Sequence, residues 1–192
     1  QPYASYEVVI DEASGDLGSA GPTLERVAGD GTTVVQSSQP AGVGFARSLR
    51  WANTTASPID DESVRVVSAG CTTDCGADDT YRIRAYETTA AVPRFNNAGT
   101  QVTVLLLQNP GGETTTGTVY FWNTAGTLVG QQAFTLVPRQ LLVLNTATVA
   151  PGVGGSMSVG HDGPYDALVG KTVALEPATG FSFDSPLSSR PR

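Results

Sequence analysis

The chain has 192 residues, a formal net charge of −7 and a composition 40% hydrophobic and 15% charged. That length fits one large β domain or two of about 100 residues, each able to bury a core, and the composition belongs to a globular chain rather than a disordered one. The charge argues against a nucleic-acid partner, whose phosphates need clustered basic residues; Lys171 is the only lysine and the arginines are scattered.

Tyr6, Val8 and Ile10 alternate with Glu7, Val9 and Asp11, which predicts a strand, and the Ser/Gly-rich stretch from Ser14 to Gly21 predicts a loop after it. Gly29, Asp30 and Gly31 punctuate the run from Val27 to Val35 as a turn between two short strands. Phe45, Leu49 and Trp51 share one parity in the next run, which Pro58 and the acidic triplet Asp60, Asp61, Glu62 close. Val64 and Val66 begin a strand ending at Gly70. Tyr81, Ile83 and Ala85 then alternate with Arg82 and Arg84 as a half-buried strand.

Thr88 to Pro93 is the expected boundary, giving domains over 1–90 and 91–192. Beyond it, strand-length runs cover Thr100 to Gln108, Thr118 to Asn123, Thr127 to Leu136, Gln140 to Leu144, Ser156 to Gly160 and Ala167 to Leu175. Asn-, Gly- and Pro-rich turns separate them at immunoglobulin-like spacing. The expected fold is all-β: two antiparallel β-sandwich domains, the second immunoglobulin-like, with no helix.

Asp78 to Tyr86 (DDTYRIRAY) resembles the acidic-aromatic strand motif of bacterial pre-peptidase C-terminal type domains. Residues 100–145, with an Asn-Pro turn, an aromatic strand and a Gly-bearing hairpin in order, are similar to the immunoglobulin-like modules of secreted bacterial proteins. The resemblance implies an accessory, adhesive or structural role and carries over no catalytic residue.

Cys71 and Cys75, separated by Thr72, Thr73 and Asp74, are expected to close a tight disulfide loop, since flanking Gly70 and Gly76 let the chain turn. Zinc would need carboxylate help beyond these cysteines and the lone His161. His161 lies in a turn-like VGHDGPY run with no nucleophile elbow nearby, and is expected to be solvated. Asp60, Asp61 and Glu62, and Asp74, Asp78 and Asp79, group hard oxygen ligands that suit calcium; the alternative is a solvated acidic surface. No other cofactor is implied. Asn53-Thr54-Thr55 matches a glycosylation sequon.

The central strands of the second half are apolar on both faces. With Val102, Val104 and Leu106 assigned inward, Leu105 and Leu107 point out, as do Tyr120 and Trp122 opposite Val119 and Phe121. A two-layer sandwich solvates its outer faces, so these need cover from the first domain or from another chain. Tyr6, Val8 and Ile10 form an extended segment able to add to an open sheet edge. The start at Gln1, the low lysine content and the close cysteine pair suggest an exported chain whose signal peptide has been removed, located outside the cell or on its surface. No apolar run reaches the roughly 18 residues of a membrane span.

These features together point to a non-enzymatic structural or interaction protein, a subunit of a surface assembly such as a filament. Its partners would be other copies of itself or another surface protein. A carbohydrate-binding or adhesive module is the alternative, to be recognised by Trp51 or Trp122 on an open concave face.

Overall fold

The alternation in the first half produces strands β1 (Ala4–Asp11), β2 (Pro22–Val27), β3 (Val34–Ser37), β4 (Gln39–Pro40), β5 (Arg47–Asn53), β6 (Ser63–Ser68) and β7 (Arg82–Glu87). The computed structural model describes residues 1–15, 17, 22–40, 47–68 and 76–189. The strands form two antiparallel sheets, sheet I in the order β3-β2-β6 and sheet II in the order β4-β5-β1-β7. Strand β2 lies across β5 and β1, and the two sheets bury Val8, Ile10, Leu24 and Leu49 between them, with Trp51, Val64 and Val66 at the margin. The expected β2–β3 turn is made by Asp30, whose carboxylate accepts from the Thr33 hydroxyl and from the N–H groups of Thr33 and Thr32. Those donors, the Thr33 hydroxyl first, hold its pKa at about 2.

The second half contributes β8 (Ala90–Asn96), β9 (Val102–Gln108), β10 (Thr115–Asn123), β11 (Leu128–Leu136), β12 (Leu141–Asn145), β13 (Gly154–His161), β14 (Val169–Glu176), β15 (Phe181–Pro186) and β16 (Ser188–Ser189), with a 3-10 turn at Thr146–Thr148. Sheet III is five-stranded, β11-β10-β13-β8-β16, and sheet IV four-stranded, β12-β9-β14-β15. All pairings are antiparallel, and the two sheets close on a core of Val92, Phe95, Leu105, Leu107, Val119, Phe121, Met157 and Val159. The fold is therefore all-β and built of antiparallel sandwiches. Strand β8 runs through the expected boundary segment, and β15 and β16 lie beyond the runs anticipated. The alternation of Phe181, Ser182 and Phe183 was the available signal.

Sheets II and III meet face to face, so the layers stack I, II, III, IV. Tyr3 rests on Tyr120 and Trp122 of β10, with ring centroids 5.0 and 5.5 Å away. Ser5 lies over Gly160 of β13, and its hydroxyl accepts from that of Thr88 at 2.9 Å.

Two strands face differently from the sequence reading. Ile83 is 47% exposed and Tyr81 is exposed too. Strand β7 is the edge of sheet II, beyond the reach of the narrower sheet I, and its Arg84 instead pairs with Asp11. In β9 the assignment of faces is inverted: Leu105 and Leu107 are 0% exposed in the core, while Val102, Val104 and Leu106 form the outer row. Hydrophobicity cannot choose between two apolar faces, but a buried polar group can. Thr103, of the same parity as Leu105, takes an Asn97 Oδ1 acceptor on its N–H at 3.1 Å, and its hydroxyl donates to the Asn96 carbonyl at 2.9 Å. The Thr146 hydroxyl shares its one proton between Asn97 Oδ1 and the Thr103 carbonyl. Thr103 is thereby drawn inward, and the leucines follow.

Candidate association surface

The outer faces of the stack differ in character. On sheet I, the Glu25–Arg65 ion pair at 2.6 Å crosses the face between Thr23 and Ser37, with Val35 and Val67 as its apolar members, a mixed solvated surface. The corresponding face of sheet III is covered by sheet II. Sheet IV has no covering layer among the described residues, and its outward rows on β12, β9 and β14 are largely apolar, while that of β15 is Ser182, Asp184 and Pro186. Val143 of β12 stands beside Leu106 of β9, and Val104 beside Val173 of β14. Val102 stands beside Leu175, with Leu141 and Val169 flanking Gln108.

Leu141 is 53% and Val143 61% exposed, and Val169 and Leu175 are exposed as well. The charges on this face, Lys171 and Asp184, are bonded to each other at 2.5 Å, so it is locally neutral on a chain of net charge −7. The three apolar strands, about 4.8 Å apart with some seven residues of about 3.4 Å rise, give it roughly 340 Å² in projection. That equals the largest apolar patch of a typical monomer, which is often functional.

The residues singled out from sequence lie elsewhere. Val8 and Ile10 belong to the core between sheets I and II, and Leu105 and Leu107 to that between III and IV, so none of the four can contact another chain. Tyr120 is buried and Trp122 half-buried under Tyr3: the cover demanded by their outward direction comes from the first half of the same chain. Tyr6 packs on Trp51, centroids 5.4 Å apart. The face was instead legible in Leu141 and Val143, whose exposure follows once Leu142 and Leu144 turn to the core.

Neither tryptophan offers the open platform of a sugar site. The Trp51 ring is occupied by Tyr6 and by the Arg26 guanidinium, 5.3 Å from its centroid. Trp122 meets Tyr3 edge-on and donates its indole N–H to Ser158 Oγ at 2.9 Å.

A cavity of about 710 Å³ lies between the halves, lined by Glu7, Arg50, the Asn109–Glu113 loop and the Pro164–Ala167 loop. Its polar groups are largely engaged with one another. Glu7 accepts from Ser48, Arg50 and the Tyr165 N–H; Arg50 reaches Glu113; and Asn109 bonds Glu113 O, Leu136 O and the Gly111 N–H. The cavity is a seam held by its own hydrogen bonds.

His161 is not a solvated turn residue but 2% exposed at the end of β13, with Nδ1 lacking a hydrogen-bond partner. Burial pushes its pKa below the usual value, against the opposing pull of the Thr88 backbone and of Asp162. Asn53 of the sequon is buried, its amide donating to Gln1 O and Ser57 O, so it is closed to glycosylation in the fold.

Of the calcium candidates, Glu62 is taken by Arg26, Asp79 accepts from the Gly76 N–H at 2.6 Å, and Asp60, Asp61 and Asp78 are exposed. Among the described residues no three acidic, histidine or cysteine side chains converge as metal ligands. Asp74, Cys71 and Cys75 lie outside the described residues, and so does the disulfide. No helix among the described residues is long and apolar enough to cross a membrane.

No family model and no curated protein matches the chain. Among solved structures it is similar to a β-glucuronidase from glycoside hydrolase family 2, with 9% identity, TM-score 0.21, and 95% of this chain and 22% of that one covered. It is also similar to a Bacteroides uniformis β-glucuronidase, with 11% identity, TM-score 0.20, and 97% and 24% covered. The chain thus spans less than a quarter of those enzymes, and likeness at this level transfers neither fold nor activity.

Proposed function

We propose that this chain is a non-enzymatic, exported building block that associates through the outer face of sheet IV, as part of an extracellular or cell-surface assembly. The observation that carries the reading is the contrast between outer faces: mixed and crossed by an ion pair on sheet I, covered on sheet III, and on sheet IV largely apolar and open among the described residues. Leaving such a face in water forgoes about 25 cal/mol per Å² of apolar area that a partner would recover. The division into domains 1–90 and 91–192 belongs to this reading, and is supported by the sheets, each of which draws its strands from one half. The carbohydrate-binding alternative is weakened by the engagement of Trp51 and Trp122 within the chain.

The test is oxidative side-chain labelling of Leu141, Val143 and Leu175, comparing the chain in material exported by the producing cells with the purified chain at high dilution. Several-fold lower labelling in the exported material is expected. Equal labelling in both would overturn the reading.

A further inference from the structure

We infer that β12 pairs with β12 of a second copy of this chain, antiparallel and centred on Val143. The inference rests on the assembly reading for what covers the neighbouring face, and adds the partner and the geometry.

An edge strand exposes unpaired N–H and C=O groups, and proteins guard such strands with charge, proline, bulges, shortness or cover. The other described edges carry such guards. Strand β4 is two residues long and contains Pro40; β7 carries Arg82, Arg84 and Glu87. Strand β3 is short and adjoins a register shift, and β6 carries Arg65. Strand β15 contains Asp184 and ends at Pro186, and β16 has two residues. Strand β11 lies beside a register shift, and its Gln132 amide donates to the edge carbonyl of Ala133 at 2.9 Å. Even the uncovered part of β5 has its Arg50 carbonyl capped by the Gln36 amide at 2.7 Å.

Strand β12, with the sequence LLVLN, has no charge, proline or bulge and no cover among the described residues. It carries no charge, proline or glycine, and its register with β9 is unbroken from Leu141 to Asn145. No side chain among the described residues hydrogen-bonds the backbone of Leu141–Leu144. Uncharged, apolar edge segments without proline or glycine are the ones open to pairing with other chains.

A second copy suits this edge because the strand is nearly symmetric about its centre. Antiparallel self-pairing sets Leu142 of each copy opposite Leu144 of the other on the core side, and Val143 opposite Val143 on the outer side. The twofold axis stands perpendicular to the sheet, so the apolar faces stay on one side and merge into a surface of roughly 700 Å². No charge lies on the strand, so the net charge of −7 is not brought into contact. A five-residue ladder is at the small end of specific interfaces, so the pairing is weak and concentration-dependent.

The experiment is light scattering with hydrogen exchange over about 1 to about 500 μM, a range matched to weak interfaces. The mass is expected to rise toward twice that of the monomer while the amides of 141–145 slow at least severalfold. Val143→Lys and Val143→Asp, at an exposed position, should each stay monomeric, and mixing them should restore the dimer, because residue 143 meets itself. A monomer at every concentration, a dimer without amide protection in β12, or a mixture that stays monomeric would each overturn the inference. Any of these can occur while the outer face is still protected in exported material, so the two readings fail separately.

Discussion

Glu7 Oε2 accepts the backbone N–H of Tyr165 at 2.8 Å, across 158 positions of sequence, while its Oε1 accepts from Ser48 Oγ at 2.7 Å and Arg50 Nε at 2.9 Å. One buried carboxylate thus ties β1 and β5 to the loop between β13 and β14, and so latches sheet II to the second sandwich. The ion pair to Arg50 matters here because Glu7 is buried, whereas the 3.4 Å contact of Arg50 with exposed Glu113 adds little.

Glu7→Ala removes the acceptor for all these donors and leaves Arg50 and the Tyr165 N–H without their buried partner. A loss of about 2 to 4 kcal/mol is expected, since breaking a buried pair costs more than the pair contributes net. Urea unfolding followed by intrinsic fluorescence measures it. Glu7→Gln keeps the shape but turns acceptor into donor at one atom, and should fall between the wild type and Ala. Wild-type stability in Glu7→Ala would remove the latch.

His161 predicts a pH dependence. Its imidazole titrates near 6.5 when free, and burial places the folded value lower. Between the two values only the unfolded chain takes up the proton, so stability is full above the unfolded value and declines as pH falls below it. The slope is at most about 1.4 kcal/mol per pH unit and flattens below the folded value. Melting temperatures from about pH 8 down to about pH 5 should fall more steeply in the wild type than in His161→Gln, which cannot titrate. Parallel curves would show that the histidine contributes nothing to the acid response.

Strand existence was legible because period-2 alternation and turn residues such as Asp30 act locally. Burial was less legible: Val8 and Ile10, read as an association segment, belong to the core, and the polar Ser5 and Glu7 opposite them are buried as well, because β1 lies between sheet I and sheet III. It failed in β9, where TVLLL has apolar side chains both ways and the choice was made by contacts to Asn97, across the turn between β8 and β9, and to Thr146, distant in sequence. It failed again at β7, where alternation is sound but the covering sheet is too narrow to reach Ile83. His161 and Glu7 were missed as a group because a histidine in a Gly- and Pro-rich run reads as a turn, and only the stacking of sheets II and III buries it. The open apolar face was half visible: two-sided hydrophobicity announced a covering layer, but not that sheet III would be covered and sheet IV left open among the described residues.

The Asn97 cluster that sets the β9 register makes a prediction of its own. Asn97 Oδ1 serves the Thr103 N–H and the Thr146 hydroxyl, and its amide donates to the Ala150 carbonyl at 3.0 Å, all buried. Asn97→Ala takes this partner from the Thr103 N–H and the Ala150 carbonyl at about 1 to 3 kcal/mol each, partly relieved by any water that enters, while the Thr146 hydroxyl keeps the Thr103 carbonyl, so a loss of about 2 to 4 kcal/mol is expected. Asn97→Asp keeps both acceptor bonds but loses the donor, and should be intermediate. Denaturant midpoints of the three proteins decide the order, and equal midpoints would refute the pinning role.

The inverted faces of β9 and its neighbour give the sharpest contrast. Leu105→Ala empties a site that is fully enclosed between sheets III and IV, and should cost about 3 to 5 kcal/mol through lost burial and the cavity left behind. Val143→Ala, one strand away on a side chain 61% exposed, should change monomer stability by less than about 0.5 kcal/mol. Under the opposite register the ranking of Leu105 and Leu106 reverses, so Leu106→Ala belongs in the same series. In the register described, its half-buried outer position predicts a loss well below that of Leu105. The comparison must be made at high dilution, because above the association range Val143→Ala would also weaken any contact through the sheet IV face, and the loss would then grow with protein concentration while that of Leu105→Ala would not.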